Sequence, residues 1–172
     1  MKLACLLCWV IPCAALAGTT LTIDGTATSQ PSTWTVDQLK QQPAIPTTQI
    51  AYQTHDGSSH HSTCVSLLDV LHAAGVPIQI KMTPKADPRT KHRALRMIVT
   101  ARATDGYIVV FSLGELLPDI GHRSVWLALD QDGEPFAGND APVKLISPDD
   151  IKPARWVHGV QELSVDQAAP SK

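Results

Sequence analysis

Apolar and polar side chains alternate along this chain in a way that marks most of its elements. Residues 19–23 (TTLTI) alternate and are β-branched, which predicts a first strand closed by Asp24-Gly25. Thr33-Trp34-Thr35 leads into Val36-Asp37-Gln38-Leu39-Lys40, a short helix with Thr35 or Asp37 near its N-terminus and Pro43 and Pro46 to stop it. Residues 49–54 and 60–65 read as the two arms of a hairpin that turns at Asp56-Gly57. In residues 66–74 (SLLDVLHAA), Leu67, Val70 and Leu71 share one helical face, Ser66 is placed to cap it, and Gly75 and Pro77 end it.

From residue 76 to 96 the pattern dissolves into a basic stretch with three prolines. Strands are then expected over residues 95–100, 107–111, 124–129, 143–147 and 156–165. A short amphipathic piece at 112–117, closed by Pro118, and a turn at Asp132-Gly133 separate them. About eight strands with two or three short helices predict an α+β, mainly β domain. No strand, glycine loop and long helix succeed one another, so a doubly wound nucleotide-binding sheet is not expected.

Composition narrows the function classes. The chain has 172 residues, 44% hydrophobic and 17% charged, a size and content that suit one domain with a full core. Fourteen Lys/Arg against sixteen Asp/Glu leave a net charge of -2, which argues against a general nucleic-acid binder. Lys2, an apolar run from Leu3 to Leu16 and the small residues of Ala15-Leu16-Ala17 describe a cleavable export signal over residues 1–17. The expectation is therefore a periplasmic protein whose single domain covers 18–172. Cys5, Cys8 and Cys13 lie within that signal, so cleavage leaves Cys64 alone and no internal disulfide.

His55, His60, His61 and Cys64 form the densest set of metal-ligating side chains. Neighbours on a strand point to opposite faces, however, so His60 and His61 cannot both join one site, and no metal is expected there. Residues 81–96 hold six of the fourteen basic side chains and read as a solvated loop or as an electropositive rim. Ser112, Ser124 and Ser147 have no nucleophile-elbow context, and Asp149-Asp150 after a proline reads as a turn.

Several segments then follow one another in a familiar order. Asp105-Gly106-Tyr107 precedes an apolar strand; Val125-Trp126-Leu127-Ala128, Asp132-Gly133-Glu134-Pro135, residues 139–144 (NDAPVK) and Arg155-Trp156-Val157-His158-Gly159-Val160 come after it. Together with the early helix at 66–75, this succession resembles the sulfite-oxidase-type molybdopterin-binding domain over nearly the whole of residues 18–172. The resemblance implies that fold, and it implies that Asn139 and Lys144 hold the pterin and phosphate of a cofactor, with Lys144 standing where the family carries Arg. Arg155-Trp156 stands for the family's Lys-Trp. A lysine lacks the arginine fork but still suits anionic oxygens, and the faces of Trp156 and Tyr107 suit a flat pterin.

One departure bears on activity. The family's molybdenum-ligand cysteine falls within residues 49–55 (QIAYQTH), which contain none, and Cys64 lies about ten positions later, where the pattern usually carries glycine. The resemblance therefore implies an exported, non-catalytic pterin-binding protein. Its small relatives lacking the cysteine look like ligand sensors for the periplasmic domain of an inner-membrane signalling protein, an enzyme of cyclic di-GMP. The alternatives are a molybdopterin-dependent oxidoreductase, or a subunit of one, with altered ligation, and an adaptor domain with no small ligand.

Overall fold

The computed structural model describes residues 19–78 and 93–168. The expected export signal and most of the basic stretch lie outside the described residues. Among the described residues, nine strands form one curled sheet: β1 Thr20–Asp24, β2 Ser32–Thr35, β3 Thr47–Gln53, β4 Ser59–Ser66, β5 Met97–Ala103, β6 Ile108–Ser112, β7 Trp126–Ala128, β8 Val143–Ile146 and β9 Val157–Gln167. The short helices are α1 Val36–Gln41, α2 Leu67–Ala73 and α3 Leu113–Leu116. The domain is mainly β, as the spacing predicts.

Local chemistry places the helices. Thr35 and Gln38 close a capping box at the start of α1, the Ser66 hydroxyl accepts from the Asp69 N–H at the start of α2, and Ser112 with Glu115 forms a second capping box on α3. Two boundaries differ from the sequence pattern. Leu95 falls in a 3-10 turn, Ala94–Arg96, rather than in β5, and it is exposed. Ser32–Thr35, expected only to lead into the helix, pairs with β1 as β2 before the chain turns into α1.

Strand order along the sheet is β2-β1-β9-β8-β7-β4-β3, while β5 pairs β9 on its other side and carries β6 beyond it. All pairings are antiparallel except β1 with β9. β9 thus meets three partners: β8 over its first residues, β1 after that, and β5 along the opposite edge. The change of partner coincides with irregular register on both sides, at Arg102/Ala103 and between Val143 and Leu145.

Most apolar side chains gather in one core, which includes Leu21, Leu67, Leu71, Val99, Phe111, Leu127, Leu145 and Leu163. β7 and β8 are buried on both faces. Leu127, Val143 and Leu145 enter this main core, whereas Ala128 and Ile146 join Tyr52 and Cys64 in a second cluster on the reverse side.

Gly159 makes the crossing possible. Its φ is +59°, and a Cβ there would lie 2.0 Å from the Asn139 carbonyl oxygen. Gly159→Ala meets both a left-handed backbone and a collision with main chain. It is expected to lower unfolding free energy by about 3 kcal/mol, measured by urea denaturation.

Candidate functional site

The second cluster is where charge and aromatic rings meet. Along β8, Lys144 points to the same face as Ile146, and the register sets Cys64, Ala128 and Lys144 side by side across β4, β7 and β8. β3 lies beside β4 and brings Tyr52 over this row; the Lys144 ammonium is 5.3 Å from the Tyr52 ring centroid. Trp156 meets Tyr52 edge-on at 5.7 Å, and His60 lies tilted against it at 5.9 Å. Ile50, Trp126 and Phe136 pack around the group.

Its polar ends are tied down. The Tyr52 hydroxyl donates to Gln131 Oε1 at 2.9 Å, and Trp156 Nε1–H donates to the Ser147 carbonyl at 2.9 Å. Their rings are thereby fixed in orientation, with the faces left for packing. Burial pushes the Tyr52 phenol up to about 12 and the Cys64 thiol up to about 11. Cys64 is fully buried, its thiol directed at the Ser62 carbonyl at 3.5 Å.

Lys144 is the anomaly of the cluster. It is only 2% exposed, yet among the described residues no carboxylate lies within ion-pair distance of it. Burial lowers its pKa, and the more distant Asp140 only partly opposes that shift. The ring of Tyr52 supplies a cation–π contact, which offsets part of the desolvation.

Two His–Asp pairs border the group. His60 Nδ1 lies 2.7 Å from Asp132, whose carboxylate also accepts the His61 N–H; His158 Nδ1 lies 2.8 Å from Asp140. The hydrogen bond from His60 holds the Asp132 carboxyl below its usual range. His55 is exposed in the hairpin turn. Among the described residues, no group of three or more His, Cys, Asp and Glu side chains could hold a metal ion.

The five residues expected to bind a pterin separate into two sets. Lys144 and Trp156 converge on Tyr52. Arg155 turns the other way, because the 3-10 turn Pro153–Arg155 leads into extended chain at Trp156 and successive side chains diverge. Its guanidinium forms a fork on Asp150 at 2.6 and 2.8 Å, reaches Glu115 at 3.3 Å and stacks 4.5 Å above the Phe111 ring. Tyr107 stays on that side, its hydroxyl donating to the Ala154 carbonyl at 2.7 Å. Asn139 is exposed in the 3-10 turn Gly138–Asp140, and its carbonyl accepts from the Thr104 hydroxyl at 3.4 Å.

Tyr52, the centre of the cluster, is absent from the residues the sequence singled out. Its signal was the period-two pair Ile50 and Tyr52, which marks one buried face of β3. Two clefts flank the cluster. One of about 400 Å³ is lined by Val36, Lys40, Leu129, Phe136 and Pro142 among others; one of about 240 Å³ includes Leu68, His122, Arg123 and Trp126. Phe136 lines the first cleft and Trp126 the second, and both pack against the cluster.

No protein-family model matches the chain, and no curated protein matches it either.

The buried cation and the Arg155 fork have opposite pH signatures. Lys144 titrates lower when folded, so between its folded value and that of a free lysine the unfolded chain binds more protons, and stability rises with pH across that window. Lys144→Met is expected to raise stability near neutral pH by about 1–2 kcal/mol and to abolish the rise, read by urea denaturation up to a pH of about 10. The Arg155 hydrogen bonds hold the Asp150 carboxyl below its usual range. The stability this supplies is complete above the ordinary carboxylate pKa and is lost as pH falls through the folded value. Arg155→Met is expected to cost about 2 kcal/mol at neutral pH and to flatten acid unfolding, as followed by circular dichroism.

Proposed function

We propose that this chain is an exported pterin-binding domain of the sulfite-oxidase type, acting as a ligand sensor and not as a catalyst. The observation that carries the reading is Lys144: a buried ammonium with no carboxylate in contact among the described residues, set over the Tyr52 ring against which Trp156 packs edge-on. Such an arrangement is costly in the free protein and becomes favourable when a ligand brings an electron-rich oxygen to the cation. A pterin offers a ring carbonyl for the ammonium and a flat face for the aromatic side chains. Because Lys144 is sealed, the ligand enters by displacing ring packing from one of the flanking clefts, and binding is therefore coupled to movement at the surface. That coupling is what a sensor requires.

Catalysis through molybdenum fits these residues less well. Cys64 shares the face of Lys144, but burial disfavours the thiolate that a soft metal takes as ligand. The signalling output follows the resemblance: a pterin-loaded domain docks on the periplasmic part of an inner-membrane enzyme of cyclic di-GMP.

The test is ligand identification followed by titration. Protein recovered from an export-competent host and then denatured is expected to release a pterin, detected by fluorescence and mass. Stripped protein titrated with reduced and oxidised pterins is expected to show quenching of tryptophan emission. Lys144→Ala and Trp156→Ala should each weaken binding by about 1–3 kcal/mol, and Lys144→Met should be the more stable protein and the poorer binder. A chain that neither carries nor takes up any pterin is an adaptor, and molybdenum found in the purified protein would restore the oxidoreductase reading.

A further inference from the structure

We propose that β6 is the surface through which two copies of this chain join, edge to edge, into one continuous sheet. β6 pairs with β5 only, so its other edge is free among the described strands. The register shows which backbone groups line that edge. The Ala103 N–H donates to the Tyr107 carbonyl, and in an antiparallel ladder bonded residues alternate with unbonded ones. Val109 and Phe111 therefore bond to β5, while Ile108, Val110 and Ser112 direct their N–H and C=O groups outward. The far side of β5 agrees: Ala168 donates to the Arg96 carbonyl, which commits the even-numbered residues of β5 to β9 and the odd-numbered ones to β6.

Ser112 at the end of this edge is already engaged, its N–H donating to the Glu115 carboxylate at 2.9 Å. For Ile108 and Val110 no hydrogen-bond partner exists among the described residues. Their side chains are also out of place for solvent, at 45% and 51% exposed. An edge that no described residue covers, bearing apolar side chains and with no charge, proline or bulge in the strand to block it, is a template for another strand. The opposite end of the sheet is built differently: β3 is also an edge strand, but it exposes Thr47, Gln49, Ala51 and Gln53.

The occupant is a second β6. With a two-fold axis at Val109, Ile108 faces Val110 of the other copy and Val110 faces its Ile108. Each outward N–H then meets an outward C=O, and no free backbone group of either residue is left over. Ile108 and Val110 cover one another on the outer face as cross-strand apolar pairs. β6 contains no charged residue, so no like charges oppose across the axis. In the adjoining strands the row carrying Ile108 holds the Arg102–Glu162 pair, and the row carrying Ser112 holds Ile98 and Asp166. These charges lie one and two strands back from the seam. Such a contact is isologous and closes on itself.

The test is the solution mass of the full chain over a concentration series, by analytical ultracentrifugation. The wild-type protein is expected to be a dimer. The double substitution Ile108→Lys with Val110→Lys places like charges opposite each other twice and should weaken dimerisation by about tenfold or more. Ile108→Lys with Val110→Glu sets Lys against Glu across the same axis and should retain the dimer. Val109→Cys should crosslink to its own copy on mild oxidation, since the axis brings those two Cβ atoms together. This variant keeps the test open if the lysine variant fails to fold. A wild-type chain that stays monomeric, bare or bound to a strand of some other protein, overturns the proposal. So does a dimer that survives the double lysine substitution, or a Val109→Cys chain that forms no crosslink.

Discussion

β9 has to satisfy three neighbouring strands within one stretch of chain, and the architecture depends on how it does so. Val160 faces both Val143 of β8 and Ala103 of β5, and just before it the backbone passes through the left-handed region at Gly159. A side chain there would run into the Asn139 carbonyl. The consequence is a sheet that curls: β5 and β6 close over one side of the main core, while β8, β7, β4 and β3 continue away and present their reverse face. That reverse face exists because β9 turns, and the Lys144 cluster lies on it.

The cluster trades stability against recognition. Apolar residues at both faces of β8 would suit its position between β7 and β9, and three of its four residues conform. Lys144 does not. Its amino group is dehydrated and has no counter-charge in contact among the described residues, so the folded state carries a cost that the Tyr52 ring and the more distant Asp140 only partly ease. Arg155, one residue from Trp156, shows the opposite arrangement. Its charge is forked onto Asp150, shared with Glu115 and stacked on Phe111, so it holds the turn before β9 against α3. Two cations close in sequence thus work differently, one as a fastening and one as an unsatisfied group.

Much of the fold was legible because it is written locally. Caps sit where Thr35, Ser66 and Ser112 occur, and the hairpin turns at Asp56-Gly57, since these effects act over a few residues. β2 is not legible because its polar and aromatic residues, three half-buried and Thr33 exposed, carry no clear period, and only β1 makes them a strand. The site was legible in part. Lys144 and Trp156 converge on Tyr52, but the burial of Lys144 depends on β8 lying inside the sheet and on Tyr52, which sits about ninety positions earlier. The outward turn of Arg155 depends on a single 3-10 turn, a feature that residue types alone do not announce. Asn139 and Tyr107 stay apart from the cluster for the same reason: backbone geometry on either side of β9 sets their direction.

Glu115 gives the free margin of β6 a definite length. By accepting from Ser112 it takes away the last outward donor, and the hairpin before Tyr107 ends the strand at the other side. What remains is a notch two residues long, too brief to seed an extended fibre yet sufficient to set a register. Loss of that carboxylate would lengthen the sticky margin as well as fray a helix, so a substitution at Glu115 bears on solubility as much as on folding.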